Sequence, residues 1–265
     1  MPVATWFVHH RLWAMGMGVV VIVVLVAAGF WYLVLRSPGT QVGLRQALRL
    51  YRQGQSGADS GGTRLPPSGV YRYRTTGDEL LSVGGIHRSF PGTTEMIVTD
   101  ATCSTMTWEP LVQHVEGLVT CPAGGEALTM PTARSDETIA GTRTDEVISC
   151  PPTTYFLPPH PSAGMGWGAT CHSGPQPVRL AGQVIGPSTV TVGGHPLAAV
   201  HTRITFTFSG PETGTNPTDY WLVPGDGLVL RERETVDLVQ QAGPLGRVRY
   251  TESMTITLES TTPAS

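Results

Sequence analysis

Arg247–Glu259 reads RVRYTESMTITLE, and its alternation decides the fold. Val248, Tyr250, Met254, Ile256 and Leu258 fall on one side. Arg247, Arg249, Thr251, Ser253, Thr255 and Thr257 fall on the other. Successive side chains of a strand point to opposite faces, so the segment predicts a strand with one buried and one wetted face. Glu252 is the single interruption, an acid on the apolar side. Val200–Ser209 repeats the pattern. Val200, Thr202, Ile204, Phe206 and Phe208 point one way, and His201, Arg203, Thr205 and Thr207 the other.

Between these two lie Tyr220–Val223 and Leu228–Leu238, read as strands around the turn Pro224-Gly225-Asp226-Gly227. Glu232 and Glu234 share a face with Leu228 and Leu230, and Arg231 and Arg233 take the opposite one. The ordinary reading of that pattern is a cross-strand ion pair. Alternation this regular implies an antiparallel sheet with one buried face.

Toward the N-terminus the same signals continue. Strands are expected at Val70–Thr76, Glu79–Val83, Thr93–Thr99, Cys103–Trp108 and Leu111–Thr120. Residues 122–182 are less regular, with Pro151-Pro152 and Pro158-Pro159; short strands are expected near Asp145–Ser149 and Val178–Val184. Val83-Gly84-Gly85 with His87 recurs as Val192-Gly193-Gly194 with His195, a hint of internal duplication.

Four cysteines, Cys103, Cys121, Cys150 and Cys171, fit two disulfides in an oxidising compartment or four buried thiols. Sequential pairing is the simplest of the three connectivities. Each loop it closes would contribute roughly 3 kcal/mol in the chain-entropy picture. Cys150, His160, Cys171 and His172 match no compact zinc spacing, and no metal or cofactor is expected.

Leu12–Leu35, LWAMGMGVVVIVVLVAAGFWYLVL, lacks every charged side chain. As a helix it is roughly 36 Å long, enough to cross a ~30 Å hydrocarbon core. Arg11 and Arg36 bracket it, and Trp13, Trp31 and Tyr32 suit the two headgroup belts. It is expected to be a transmembrane anchor in the cell membrane, with the lipid bilayer as its partner. A cleaved signal peptide ending near Ala28 is the rival.

The expected order is a cytoplasmic tail over 1–11, the span over 12–35, a juxtamembrane helix over 36–52, a linker over 53–69, an extracytoplasmic β domain over 70–260, and a tail over 261–265. Arg45, Arg49 and Arg52 beyond the span argue against that orientation; the paired cysteines and the strand-rich domain argue for it. Leu44, Ala47, Leu48 and Tyr51 share a helical face, suited either to lying on a membrane or to a stalk.

The net charge is −3 and only 14% of residues are charged, which excludes a basic field for nucleic acid. All 17 basic residues are arginine, so a Ser-x-x-Lys pair is excluded as well. Asp59-Ser60-Gly61-Gly62 looks like the surroundings of a trypsin-type nucleophile, but it lies in the linker with no room upstream for a triad. The chain is expected not to be an enzyme.

Thr189–Glu234 carries TVTVGGHPLAAVHTR, a long strand, and then Tyr220-Trp221-Leu222-Val223-Pro224-Gly225-Asp226-Gly227-Leu228-Val229. This order resembles the strand and hairpin of LolA/LppX-like half-barrel proteins. The chain as a whole resembles uncharacterised single-span envelope proteins of high-GC bacteria. The resemblance implies a curved antiparallel sheet, either a half-open barrel or sandwich-like, behind one transmembrane helix. Its concave apolar face is expected to include Ile204, Phe206, Phe208, Tyr250, Met254 and Ile256. The implied function is a binding module for a lipid, another hydrophobic ligand or an envelope partner. A structural scaffold without a cavity is the alternative, and an unrecognised enzyme is a remote one.

Overall fold

The computed structural model describes residues 25, 29, 39–54, 65–139, 142–241 and 246–264. All of the expected span over 12–35 except residues 25 and 29, and most of the linker over 53–69, including the Asp59–Gly62 motif, lie outside the described residues. Among the described residues no helix is long and apolar enough to cross a membrane. The chain divides into the units Met1–Pro38 and Gly39–Ser265, and the barrel belongs to the second.

One helix precedes the sheet, α1 (Leu44–Gly54). The first strands are β1 (Gly69–Leu81), β2 (Ile86–Ser89), β3 (Thr93–Asp100), β4 (Ser104–Leu111) and β5 (His114–Pro122). The middle holds β6 (Leu128–Ile139), β7 (Thr142–Ser149), β8 (Tyr155–Leu157) and β9 (Gly166–Ser173). The last are β10 (Gln176–Val192), β11 (His195–Phe208), β12 (Glu212–Leu222), β13 (Val229–Gln241) and β14 (Arg247–Leu258).

Neighbours in sequence pair antiparallel around the sheet, and β14 returns to β1. Tyr73↔Leu258 through Leu81↔Tyr250 make nine register pairs across that joint. The result is a closed ring of twelve strands, with the short β2 and β8 pairing further along β1 and β6. The expected half-open barrel is therefore corrected. Both strands that would have been free edges keep apolar inward residues, and pairing them removes two rows of unmade backbone hydrogen bonds.

Most joints follow from local turn chemistry. Val192 pairs His195 around Gly193 and Gly194, with φ of 57° and 85°. A two-residue hairpin loop of this hand needs positive φ at both positions, which glycine supplies without strain. The matching Gly84-Gly85 turn joins β1 to β2. The thinnest joint is β7 to β9, with only Ile148↔Ser173 and Ser149↔His172 in register.

Disulfides join Cys103 to Cys121 and Cys150 to Cys171, the sequential pairing. The second crosses the thin β7–β9 joint. It also settles the zinc set, since neither Cys150 nor Cys171 is a free thiol.

α1 lies on the outside of the barrel. Ala47 and Tyr51 are buried against Val70 of β1 and Ile97 of β3, with Leu44 and Leu48 packed beside them. Its apolar face is thus covered by protein, an exchange worth about 1.5–3 kcal/mol for each large side chain buried. The 261–265 tail also returns to the barrel: Val70 and Ala264 exchange both backbone hydrogen bonds, at 2.8 and 2.9 Å.

Candidate functional site

An eight-stranded barrel is filled by its own side chains; a ring of twelve is wider and must be plugged or left hollow. This barrel does both, in different halves.

The plugged half lies under β1, β2 and β5. Arg88, inward on β2, donates through Nη1 to Glu79 Oε1 at 2.6 Å and through Nη2 to the Thr138 carbonyl at 2.9 Å. His114 Nδ1 lies 3.0 Å from Glu79 Oε2, and its Nε2 lies 3.2 Å from Glu116 Oε1. The Tyr250 hydroxyl donates to Glu79 Oε2 at 3.1 Å and also to Glu252. Phe90, Trp108 and His114 pack edge to face, with centroids 5.3–5.6 Å apart. Trp108 donates to Thr94 Oγ1 at 2.8 Å.

Burial works to raise the Glu79 pKa, but the His114 hydrogen bond and the His114 and Arg88 charges outweigh it and hold the carboxyl below its usual range. Burial likewise opposes a charged His114. The Glu252 charge and the bonds to Glu116 and Glu79 outweigh it and push the imidazole well above its ordinary value.

The hollow half is a cavity of about 400 Å³. Met96, Met106, Trp108, Leu118, Phe206 and Phe208 form much of its apolar wall. Exposed and half-buried residues at the strand ends, among them Pro211, Gln176 and Gln241, border its outer end. Carboxylates line the rest. Glu116, Glu232, Glu234 and Glu252 lie deep, and Glu137, Glu146 and Glu212 lie toward the strand ends. Among the described residues Arg134 is the one arginine on this wall, and it pairs with Asp145 at 2.9 and 3.0 Å.

The deep carboxylates have little to offset their charge. Asn216, the only asparagine of the chain, donates its Nδ2 to Glu234. Thr218 in turn orients the Asn216 amide with a 2.9 Å bond to Oδ1. Glu252 is 3% exposed, and among the described residues its Oε1 has no hydrogen-bond partner. Burial, reinforced by the Glu116 charge, pushes Glu232 and Glu234 well above the carboxylate range. Burial does the same to Glu252, which the His114 charge only partly offsets. Nearer the strand ends, burial raises Glu137 to about 7, and burial with the Glu146 charge raises Glu212 to about 8.

Two groups bring their ligand atoms within 4.8 Å of one another. Glu79, His114, Glu137 and Glu252 form the first, and Glu116, Glu232 and Glu234 the second. The first already contains its counter-charges. The second is all oxygen, a donor set for hard cations.

Of the six residues expected on a concave apolar face, all are buried and point inward. Phe206, Phe208 and Tyr250 reach the cavity; Ile204, Met254 and Ile256 pack in core away from it. The expected pairing of Glu232 and Glu234 with arginines is corrected: they turn into the barrel, away from Arg231 and Arg233. Those arginines stack instead over the outer ring of Trp221, at 5.2 and 5.9 Å. His201 lies flat on that ring at 4.2 Å and bonds Asp219 at 2.8 Å, so the outer cluster is already paired.

The acid-lined cavity is the feature sequence reasoning missed. Its signal was present in Glu252, Glu232 and Glu234, three acids at inward positions of otherwise apolar strand faces.

No protein-family profile matches the chain, and no curated protein is similar to it. Among solved structures, the hypothetical lipoprotein YmcC from Escherichia coli (K12) is similar at 12% identity, covering 81% of this chain and 97% of that chain. The TM-score is 0.33, a likeness too loose to bear on ligand or activity.

Proposed function

We propose that the barrel is a non-enzymatic binding module that takes a small, largely apolar molecule into its interior. The carrying observation is the cavity of about 400 Å³ walled by Phe206, Phe208, Met106 and Trp108. A chamber of that size, with an aromatic and apolar wall and convergent polar groups, is a usual form of a small-molecule site. The apolar run Leu12–Leu35 supports a membrane anchor for this module.

Ala133 lines the cavity, so a large side chain there would fill it. Native mass spectrometry of the full chain, released from nanodiscs, tests the reading. A one-to-one small-molecule adduct is expected for the wild type, absent from Ala133→Trp. A wild type that binds no member of a panel of apolar amphiphiles would contradict it.

A further inference from the structure

We infer that the barrel's ligand is an organic cation, an ammonium head on an apolar body, whose head is held by Glu232, Glu234, Glu116 and Glu252. The inference rests on the binding reading above and names its ligand class.

A buried carboxylate is tolerated when it is paired, coordinated or protonated. In the plugged half Glu79 is paired twice, with Arg88 at 2.6 Å and His114 at 3.0 Å. In the hollow half Glu232 and Glu234 have no such ion pair among the described residues. Glu116, Glu232 and Glu234 bring carboxylate oxygens within 4.8 Å of one another, and two of the three side chains are buried. The nearby cation, His114, is shared among Glu79, Glu116 and Glu252. Arg231 and Arg233, next along the same strand, point outward.

A second observation is independent of the cluster. Glu252 Oε1 is buried on the cavity wall and, among the described residues, accepts no hydrogen bond. An acceptor buried without a partner costs about 1–3 kcal/mol, and more when charged, so it is aimed at a donor that the chain itself does not provide.

The shape of the chamber selects among cations. A bare metal ion needs a tight shell of oxygens, not a cavity of about 400 Å³ with aromatic walls. An ammonium group offers several N–H donors to converging carboxylates. Phe206, Phe208 and Trp108 can then cover its hydrocarbon part. Trp108 and Tyr220 also line the chamber, and aromatic rings attract a cation. An anionic head, such as a fatty acid carboxylate, would add a further negative charge to the cluster.

The test uses three ligands with one chain length and different heads: octylammonium, 1-octanol and octanoate. Calorimetry is run on the full chain in zwitterionic nanodiscs at pH 7.5, with protein-free nanodiscs and Ala133→Trp as controls. The expected result is octylammonium binding about tenfold or more tighter than 1-octanol, as close charge pairing provides, with octanoate weakest. The Glu232→Gln/Glu234→Gln variant is expected to bring octylammonium down to the 1-octanol level, abolishing the difference between the two. Equal binding of octylammonium and 1-octanol overturns the cation inference and leaves the apolar-ligand reading standing. No binding of any of the three overturns both. Saturable binding of Ca²⁺ or Mn²⁺ alone, with no octylammonium preference, also overturns it and assigns the cluster to an inorganic ion.

Discussion

The two halves of the barrel interior are built from the same residue types and solve the same problem in opposite ways. Under β1, β2 and β5, Glu79 is surrounded by Arg88, His114 and Tyr250, and its buried charge is neutralised within the fold. Across the interior, Glu232 and Glu234 have Asn216 and Tyr220 beside them and, among the described residues, no cation of their own. The first arrangement is finished; the second is completed only by protons or by a cation from outside. Buried charge alone is therefore no sign of function. What distinguishes the half proposed to bind a ligand from the structural half is whether the counter-charge comes with the chain.

The sharpest way to break this contrast is to unbalance the finished half. Arg88→Met removes the guanidinium and leaves Glu79 buried with His114 as its remaining counter-charge and the Tyr250 hydroxyl as its other partner. Breaking a buried pair costs about 3–5 kcal/mol, so a large loss of stability in urea unfolding is expected. A change within experimental error would mean that the Arg88–Glu79 pair is not the plug described.

The opposite change in the other half is expected to have the opposite sign. Glu232→Gln/Glu234→Gln relieves like-charge crowding and should raise ligand-free stability at pH 8 by about 1–2 kcal/mol. A loss of stability would show that these carboxylates are compensated inside the fold after all.

A smaller effect should appear in pH dependence. Glu137 and Glu212 rise from an ordinary value of 4.5 to about 7 and about 8, and Glu232, Glu234 and Glu252 also rise. A carboxyl whose pKa is higher folded than unfolded binds its proton more tightly in the fold. The stability it gives is complete below the unfolded pKa and is lost as pH rises through the folded one. The raised His114 acts in the same direction. Glu79 is depressed, so its contribution disappears only as pH falls below the ordinary carboxylate range. The ligand-free protein should therefore melt lower at pH 8 than at pH 5, by roughly 3 °C for each kcal/mol of stability lost. A melting point that climbs over that window would contradict the assignment.

How much of the barrel is legible in the sequence depends on what each strand faces. β11 and β14 look into packed core along much of their length, and their alternation marks them clearly. β6 and β12 look into the cavity. Their inward residues include Ser135 and Glu137 on β6 and Asn216 and Thr218 on β12, so inside and outside are both polar and the period of two vanishes. Pro217 interrupts β12 further: Thr215↔Asp237 and Thr218↔Glu234 are paired with β13, and the two residues between them are not. Ring closure is illegible for another reason, because β1 and β14 meet across nearly the whole chain and local pattern carries no register between them. The disulfide pairing is the simplest choice and is the one formed. The site itself is half legible. The pattern puts Phe206, Phe208 and Tyr250 on an inward face, but it presents Glu232 and Glu234 as ion-pair partners and Glu252 as an interruption. An acid at an apolar parity position is the signal, and its meaning emerges only once the barrel shows that no arginine faces it among the described residues.

The most direct measurement counts protons. Octylammonium is fully charged at pH 7, as a lysine side chain is, so it exchanges none itself. Calorimetric titration of the full chain in buffers of differing ionisation enthalpy reports the protons released when the cation enters the carboxylate cluster. Release of about one proton for each ligand bound is expected, abolished in Glu232→Gln/Glu234→Gln. Binding without proton release, or with uptake, would contradict the cation site.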